Sequence, residues 1–293
     1  MGEQMNATEL AQQVKSVFSL PEIVLRVNEI LSQPEPKIAA LEEIIIHDPG
    51  LTASILKVVN SSFYNFPGKI DKLSKAIVIL GLDELRSLVI GTSVTSQFKG
   101  IKPDLVDMNV FWYHSITRGV LAKKLAIRYK RNHSERFFIA GLLSSIGKLI
   151  LFTQFPEQSA EIVRAGTIGD AELAEAERQR FGFDYAELSA ELLKTWKLPI
   201  EIWDMIAYQL KPLANPNQQL DACILHVASA TANSIQPCAN YNFHTQPLAT
   251  IFHPGVLEHM QLTQDDIESI AQDAFFQSLD IIGIIRPEVM AIF

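Results

Sequence analysis

The sequence predicts an all-α protein, and three observations carry that prediction. Apolar residues recur at helical spacing from end to end, no alternating run of useful length competes for a strand, and 48% hydrophobic with 20% charged residues describes a chain that forms a core. The length of 293 residues allows one or two domains, while 14 Gly and 14 Pro exclude a collagen-like or low-complexity chain.

The elements follow in order. Ile23, Val24, Val27, Ile30 and Leu31 form the stripe of an amphipathic helix that stops before Pro34 and Pro36. A second helix runs through Leu41, Ile44 and Ile45. Asp48 then supplies an N-cap acceptor and Pro49 a first-turn ring, opening a third helix with the face Leu51, Ile55, Leu56 and Val59. Asn60 to Lys69 is turn-rich, with Phe63, Tyr64 and Phe66 beside Pro67-Gly68; Asn60 is expected to cap the preceding helix and the rings to fill a gap in the core. Leu73, Ile77 and Leu80 resume helical spacing up to Gly81, and Leu85, Leu88 and Val89 make another short helix.

Gly100 to Asp107 reads as a joint, followed by a long helix over Val110 to Tyr129. Further helices are predicted over Arg136 to Gln154, Pro156 to Ala165, Ile168 to Arg180, Asp184 to Trp196, Pro199 to Gln209, Leu220 to Ser234 and Thr263 to Leu279. The last opens with Thr263 and Asp266 spaced as a capping box. Ile235 to Gly255 reads as an irregular connection, and Trp112, Trp196 and Trp203 as core.

Charge and segment composition exclude several functions. With 25 Lys+Arg against 33 Asp+Glu the net charge is -8, which argues against general nucleic-acid binding, since that affinity comes mainly from cations neutralising phosphates. The one basic cluster, Lys123, Lys124, Arg128, Lys130 and Arg131, is expected to be a solvated helix end. Apolar stretches such as Ala76 to Leu82 and Ile146 to Phe152 fall short of the roughly 20 residues that span a bilayer, so neither a transmembrane helix nor a membrane partner is expected. Met1 to Gln13 carries Glu3 and Glu9 with no apolar core of a secretory signal, which points to the cytoplasm. Cys223 and Cys238 are too few for a disulfide framework or a Cys-rich zinc site.

A series of short phrases then narrows the reading. Ser19-Leu20-Pro21-Glu22, His47-Asp48-Pro49-Gly50-Leu51, Val59-Asn60-Ser61-Ser62-Phe63-Tyr64 and Ile79-Leu80-Gly81-Leu82 occur in order. They are followed by Phe111-Trp112-Tyr113-His114-Ser115, Ala140-Gly141-Leu142-Leu143, Ile146-Gly147-Lys148-Leu149, Glu175-Ala176-Glu177, Phe181-Gly182-Phe183-Asp184 and Trp196-Lys197-Leu198-Pro199. Together they resemble the HDOD family, the HD-related output domains of bacterial signalling proteins, over about residues 16 to 235. The family motif residues matched here are Leu20, Pro21, Asp48, Pro49, Asn60, Ser61, Tyr64, Leu80 and Gly81. The resemblance implies an N-terminal helical bundle over residues 16–103, preceded by a lead-in over 1–15. The bundle would pack on a degenerate HD-type helical core over 104–235, with residues 236–293 forming an irregular connection and a helix.

HD phosphohydrolases hold divalent metals with His and Asp side chains. Carried onto this chain, the first ligand position matches His114, which is retained. The paired His-Asp position reads Ser144-Ser145, the later His is Tyr185, the His-His pair is Gln209-Leu210, and the terminal Asp falls near Ser229. The resemblance therefore implies a vestigial pocket of His114, Arg118, Ser144, Ser145, Tyr185, Gln209 and Ser229, without catalytic residues, metal or cofactor. His114 is expected to be a hydrogen-bonded core residue, and a Ser144 nucleophile lacks both an elbow context and an orienting carboxylate. His226, His244, His253 and His259 have no close helical ligand spacing.

The expected function is a non-enzymatic signalling module acting through protein-protein contact. Its partner would be a separate chain such as a kinase, a response regulator or a cyclic-di-GMP enzyme. Two alternatives stand beside it: a metal-dependent phosphohydrolase of nucleotides or cyclic dinucleotides, and a small-anion sensor that uses Arg118 and the vestigial pocket.

Overall fold

The computed structural model describes residues 5–61, 67–94, 98, 101, 105–165, 169–235 and 251–293. These residues form sixteen α-helices and no strand. The all-α expectation holds.

The N-terminal helices are α1 (Ala7–Val14), α2 (Glu22–Leu31), α3 (Ile38–Ile45), α4 (Pro49–Val59), α5 (Leu73–Leu80) and α6 (Leu82–Val94). The expected lead-in is itself structured. Asn6 caps α1 by accepting from the Glu9 amide, Glu9 returns the bond, and Leu10, Ala11 and Val14 are buried with α1 packed against α12. Asp48 caps α4 as expected, its carboxylate accepting from the Leu51 amide at 2.9 Å. Gly81, at φ +79°, turns the chain sharply between α5 and α6, a conformation open to glycine at little cost. Asn60 closes more than a helix end. Its amide donates to the carbonyls of Leu56 and Ile70 and accepts from the Ile70 amide at 2.8 Å, fixing both ends of the 61–69 connection. The expectations for Phe63, Tyr64 and Phe66 fall outside the described residues.

The core is built on α7 (Met108–Arg128), α8 (Glu135–Leu143) and α9 (Ile146–Gln154). The single helix expected over Arg136 to Gln154 is divided at Ser144-Ser145. The stretch Glu135–Gln154 is long and apolar enough to cross a membrane by length and composition, beyond the shorter runs weighed from the sequence, yet 78% of it is buried inside the protein. Then come α10 (Pro156–Arg164), α11 (Asp170–Phe181), α12 (Tyr185–Thr195), α13 (Ile200–Ala207) and α14 (Gln219–Ser234). The C-terminal part holds the short α15 (Val256–Met260), not foreseen in the sequence, and α16 (Gln264–Ile285), which extends past the expected end at Leu279. The Thr263/Asp266 capping box is formed. Trp112 and Trp196 are buried, but Trp203 is only half-buried, with the Lys194 ammonium 4.4 Å from its ring centre.

The basic cluster is a solvated helix end only in part: Arg128 and Lys130 are exposed, yet most of its cations are paired across the fold. Lys123 pairs with Glu84 at 2.9 Å, Lys124 with Asp273 at 3.7 Å, Arg128 with Asp266 at 2.6 Å and Arg131 with the fully buried Asp221 at 2.6 Å. These cations tie α7 and the turn after it to α6, α16 and α14. Spacing along one helix shows where the cations lie but not which acids the fold brings to them.

Candidate functional site

Two close approaches place the site. A Cβ on Gly141 would lie 2.6 Å from Cα of Gly119, so the absence of side chains at both positions lets α7 and α8 meet backbone to backbone. A Cβ on Gly147 would lie 2.1 Å from the Tyr185 carbonyl oxygen, so α9 sits equally close to α12. The turn at Ser144-Ser145 is thereby held over the middle of α7, one turn of which carries His114 and Arg118.

Arg118 is buried, and its guanidinium organises the surroundings. One terminal nitrogen donates to the hydroxyls of Ser144 and Ser145 at 3.0 and 2.8 Å, and the other to the Asn233 side-chain oxygen at 3.1 Å. The Asn233 amide donates to Asp170 at 2.8 Å, and Lys148 donates to the other oxygen of Asp170 at 2.7 Å. The Lys148 ammonium also lies 4.2 Å from the centre of the Tyr185 ring. Gln209 donates to the Ser144 carbonyl at 2.8 Å. The result is a continuous polar network of two cations and one carboxylate, bridged by an amide and two hydroxyls.

The charges follow from the packing. Burial alone would raise the Asp170 carboxyl, but Lys148 and Arg118 overcome it and hold the group at about 2. Burial lowers His114 to about 4, with the neighbouring Arg118 acting in the same direction, so its imidazole is neutral at pH 7. Its Nε2 lies 3.2 Å from the Ile235 carbonyl oxygen, which fixes Nε2 as the donor. Burial, followed by the Asp170 charge, pushes the Tyr185 hydroxyl well above its ordinary value.

Of the residues marked in the sequence, Arg118, Ser144, Ser145 and Gln209 are joined directly by hydrogen bonds. Tyr185 enters through the Lys148 contact, and His114 lies near enough to Arg118 to feel its charge. Ser229 is buried on α14, and its hydroxyl has no hydrogen-bond partner among the described residues. Lys148, Asp170 and Asn233 were not marked. A lone lysine within the apolar run Ile146 to Phe152 was the available signal, because an ammonium carried into a core needs an anion. His226 has a structural role, its Nδ1 donating to the Gln209 carbonyl at 2.7 Å and its Nε2 accepting from the His253 amide at 2.8 Å.

A divalent metal does not fit this donor set. The His114 imidazole donates to a carbonyl through Nε2, a guanidinium holds the two serine hydroxyls, the Asp170 carboxylate is engaged by Lys148 and Asn233, and Glu177 accepts from the Tyr185 amide.

The fold and site define an all-helical module of HD type in which the polar centre is closed by the protein's own cations. The chain belongs to the HDOD domain family, whose profile matches residues 17–212. It is similar in structure to a protein of Shewanella amazonensis SB2B named "Putative phosphohydrolase", with a TM-score of 0.72 at 24% identity, covering 96% of this chain and 97% of that one. An HDOD domain protein of unknown function from Geobacter sulfurreducens gives 0.71 at 25% identity, covering 98% of both chains. A "Putative signal transduction protein" of Marinobacter aquaeolei VT8 gives 0.67 at 20% identity, covering 99% of this chain and 68% of that one. The chain spans 39% and 34% of the lengths of two curated relatives that it matches.

Proposed function

We propose that this chain is a non-enzymatic signalling module that works by binding another protein through its helical surfaces. The observation that carries the reading is the network of Arg118, Lys148 and Asp170. Where an HD enzyme would supply positive charge with metal ions, this protein supplies it with a guanidinium and an ammonium, which share one carboxylate and hydrogen-bond to the surrounding hydroxyls and amide. Membership of the HDOD family and the Marinobacter neighbour's name support the signalling class.

The two alternatives are weaker. A phosphohydrolase would need a set of free metal ligands that the described residues of the pocket do not offer. An anion sensor would draw on Arg118, whose two terminal nitrogens are engaged within the protein while its buried Nε has no partner among the described residues.

The test is a tagged pull-down from the native cytoplasm with mild crosslinking, read by mass spectrometry against an untagged control. The proposal expects reproducible enrichment of a kinase, a response regulator or a cyclic-nucleotide enzyme. Turnover of nucleotides or cyclic dinucleotides by the purified protein with Mn²⁺, abolished in His114→Ala, would overturn it.

A further inference from the structure

A second group of possible ligands lies away from the pocket, at the junction of α6 with α8. Asp83 is in the first turn of α6, His133 in the turn after α7, and Glu135 at the first position of α8. His133 Nδ1 is 2.8 Å from Asp83 Oδ2 and 3.5 Å from Glu135 Oε1, and one donor atom from each residue lies within 4.8 Å of the other two.

We infer that Asp83, His133 and Glu135 form a binding site for one divalent transition-metal ion of the zinc class. Donor type is the first argument. One imidazole nitrogen with two carboxylate oxygens suits Zn²⁺, Co²⁺ or Mn²⁺ better than Ca²⁺ or Mg²⁺, which favour all-oxygen sets. Geometry is the second. Bonds of about 2.0–2.2 Å at tetrahedral angles place donors about 3.3–3.6 Å apart; the His133–Glu135 distance of 3.5 Å falls in that range, and Asp83, at 2.8 Å from His133, would move outward by under about 1 Å.

The third argument is charge. Asp83 and Glu135 share a single imidazole as their only ion-pair partner among the described residues, although Arg86 and Arg136 line the same cleft of about 200 Å³. Arg136 lies instead near Asp221, at 3.9 Å, and Arg86 forms no ion pair among the described residues. Two carboxylates turned toward a histidine, and not toward adjacent arginines, leave a concentration of negative charge that one dication would neutralise. In the bound form the Nδ1 lone pair takes the metal and Nε2 carries the ring proton. The remaining coordination position faces the cleft, open to water or a small anion beside the arginines. Because the ligands come from α6 and from the start of α8, the ion would clamp the N-terminal helices to the core.

The test uses the full chain stripped with EDTA and dialysed, then titrated with Co²⁺ by visible absorption and with Zn²⁺ by calorimetry. Wild type is expected to bind one equivalent, with intense tetrahedral Co²⁺ bands and a rise in Tm. His133→Ala, Asp83→Asn and Glu135→Gln are each expected to weaken binding by about tenfold or more and to lose that rise. These substitutions are at the protein surface or its edge, and circular dichroism of the apo forms checks that they fold. His114→Ala should bind as wild type does. No saturable binding up to millimolar metal, or binding unchanged in His133→Ala, overturns the assignment, as does displacement of Zn²⁺ by equimolar Ca²⁺.

Discussion

Replacing Arg118 with methionine keeps an unbranched stem of similar length to the aliphatic part of the side chain and removes the charged guanidinium. Three charge-assisted hydrogen bonds are lost, leaving Ser144, Ser145 and Asn233 each short of a donor and Asp170 neutralised by Lys148 alone. Each such bond is worth about 1.5–3 kcal/mol net, but the variant also escapes the cost of burying a guanidinium. Removing one member of a buried ionic group typically costs about 3–5 kcal/mol, and that is the expected loss here. Urea unfolding at pH 7 measures it, with an unchanged m-value showing that the native state is intact. The Asp170 carboxyl, held at about 2, stabilises the fold above its ordinary range near pH 4, and this contribution fades as pH falls from about 4 to 2. Part of that stabilisation comes from Arg118, so the variant's deficit should narrow over the same window. In the double variant with Asp170→Asn the two effects should be coupled by at least about 1 kcal/mol. A deficit below about 1 kcal/mol, or strict additivity with Asp170→Asn, would refute the reasoning.

Three further predictions concern the same region. Gly147→Ala should destabilise the protein by at least about 3 kcal/mol, because its Cβ would meet the Tyr185 carbonyl oxygen at 2.1 Å, whereas Gly283→Ala in α16, with open space around it, should be neutral or stabilise by up to about 1 kcal/mol; paired thermal melts decide. His114, lowered to about 4, binds its proton more readily in the unfolded chain, so stability should fall by about 2–3 kcal/mol between pH 6.5 and 4, and His114→Asn should flatten that slope in urea titrations. Glu177 is raised by burial to about 8 and accepts a hydrogen bond from the Tyr185 amide, so it favours folding while protonated and that benefit is lost as pH rises toward 8. Glu177→Gln should therefore gain at least about 2 kcal/mol on wild type between pH 5 and pH 9.

Several local signals were legible in the sequence where neighbours along the chain decide the structure, although the Asn6/Glu9 capping box of α1 was passed over. Asp48-Pro49 and Thr263/Asp266 announced their helix starts because capping is a contact over three residues, and Gly81 announced a turn. The division of Glu135–Gln154 was hidden, since Ser144 and Ser145 disturb the apolar pattern too little to mark a bend that Arg118 holds from another helix. Helix α1 was missed because its burial depends on α12, far along the chain. At the site, the residue types at Ser144, Ser145, Tyr185, Gln209 and Ser229 could be read by position. The polar network could not be read, because Arg118, Lys148, Asp170 and Asn233 belong to four different helices and their pairing exists only in three dimensions. The basic cluster at the C-terminal end of α7 was hidden for the same reason, its acids being supplied by α6, α14 and α16.

The central claim, that the pocket's own cations stand where a metal would, is tested most directly by elemental analysis of protein purified without chelator, as wild type, His114→Ala and His133→Ala. The account predicts that any stoichiometric metal is unchanged in His114→Ala and lost in His133→Ala. Stoichiometric Mn, Fe or Zn that is lost in His114→Ala and retained in His133→Ala would contradict it.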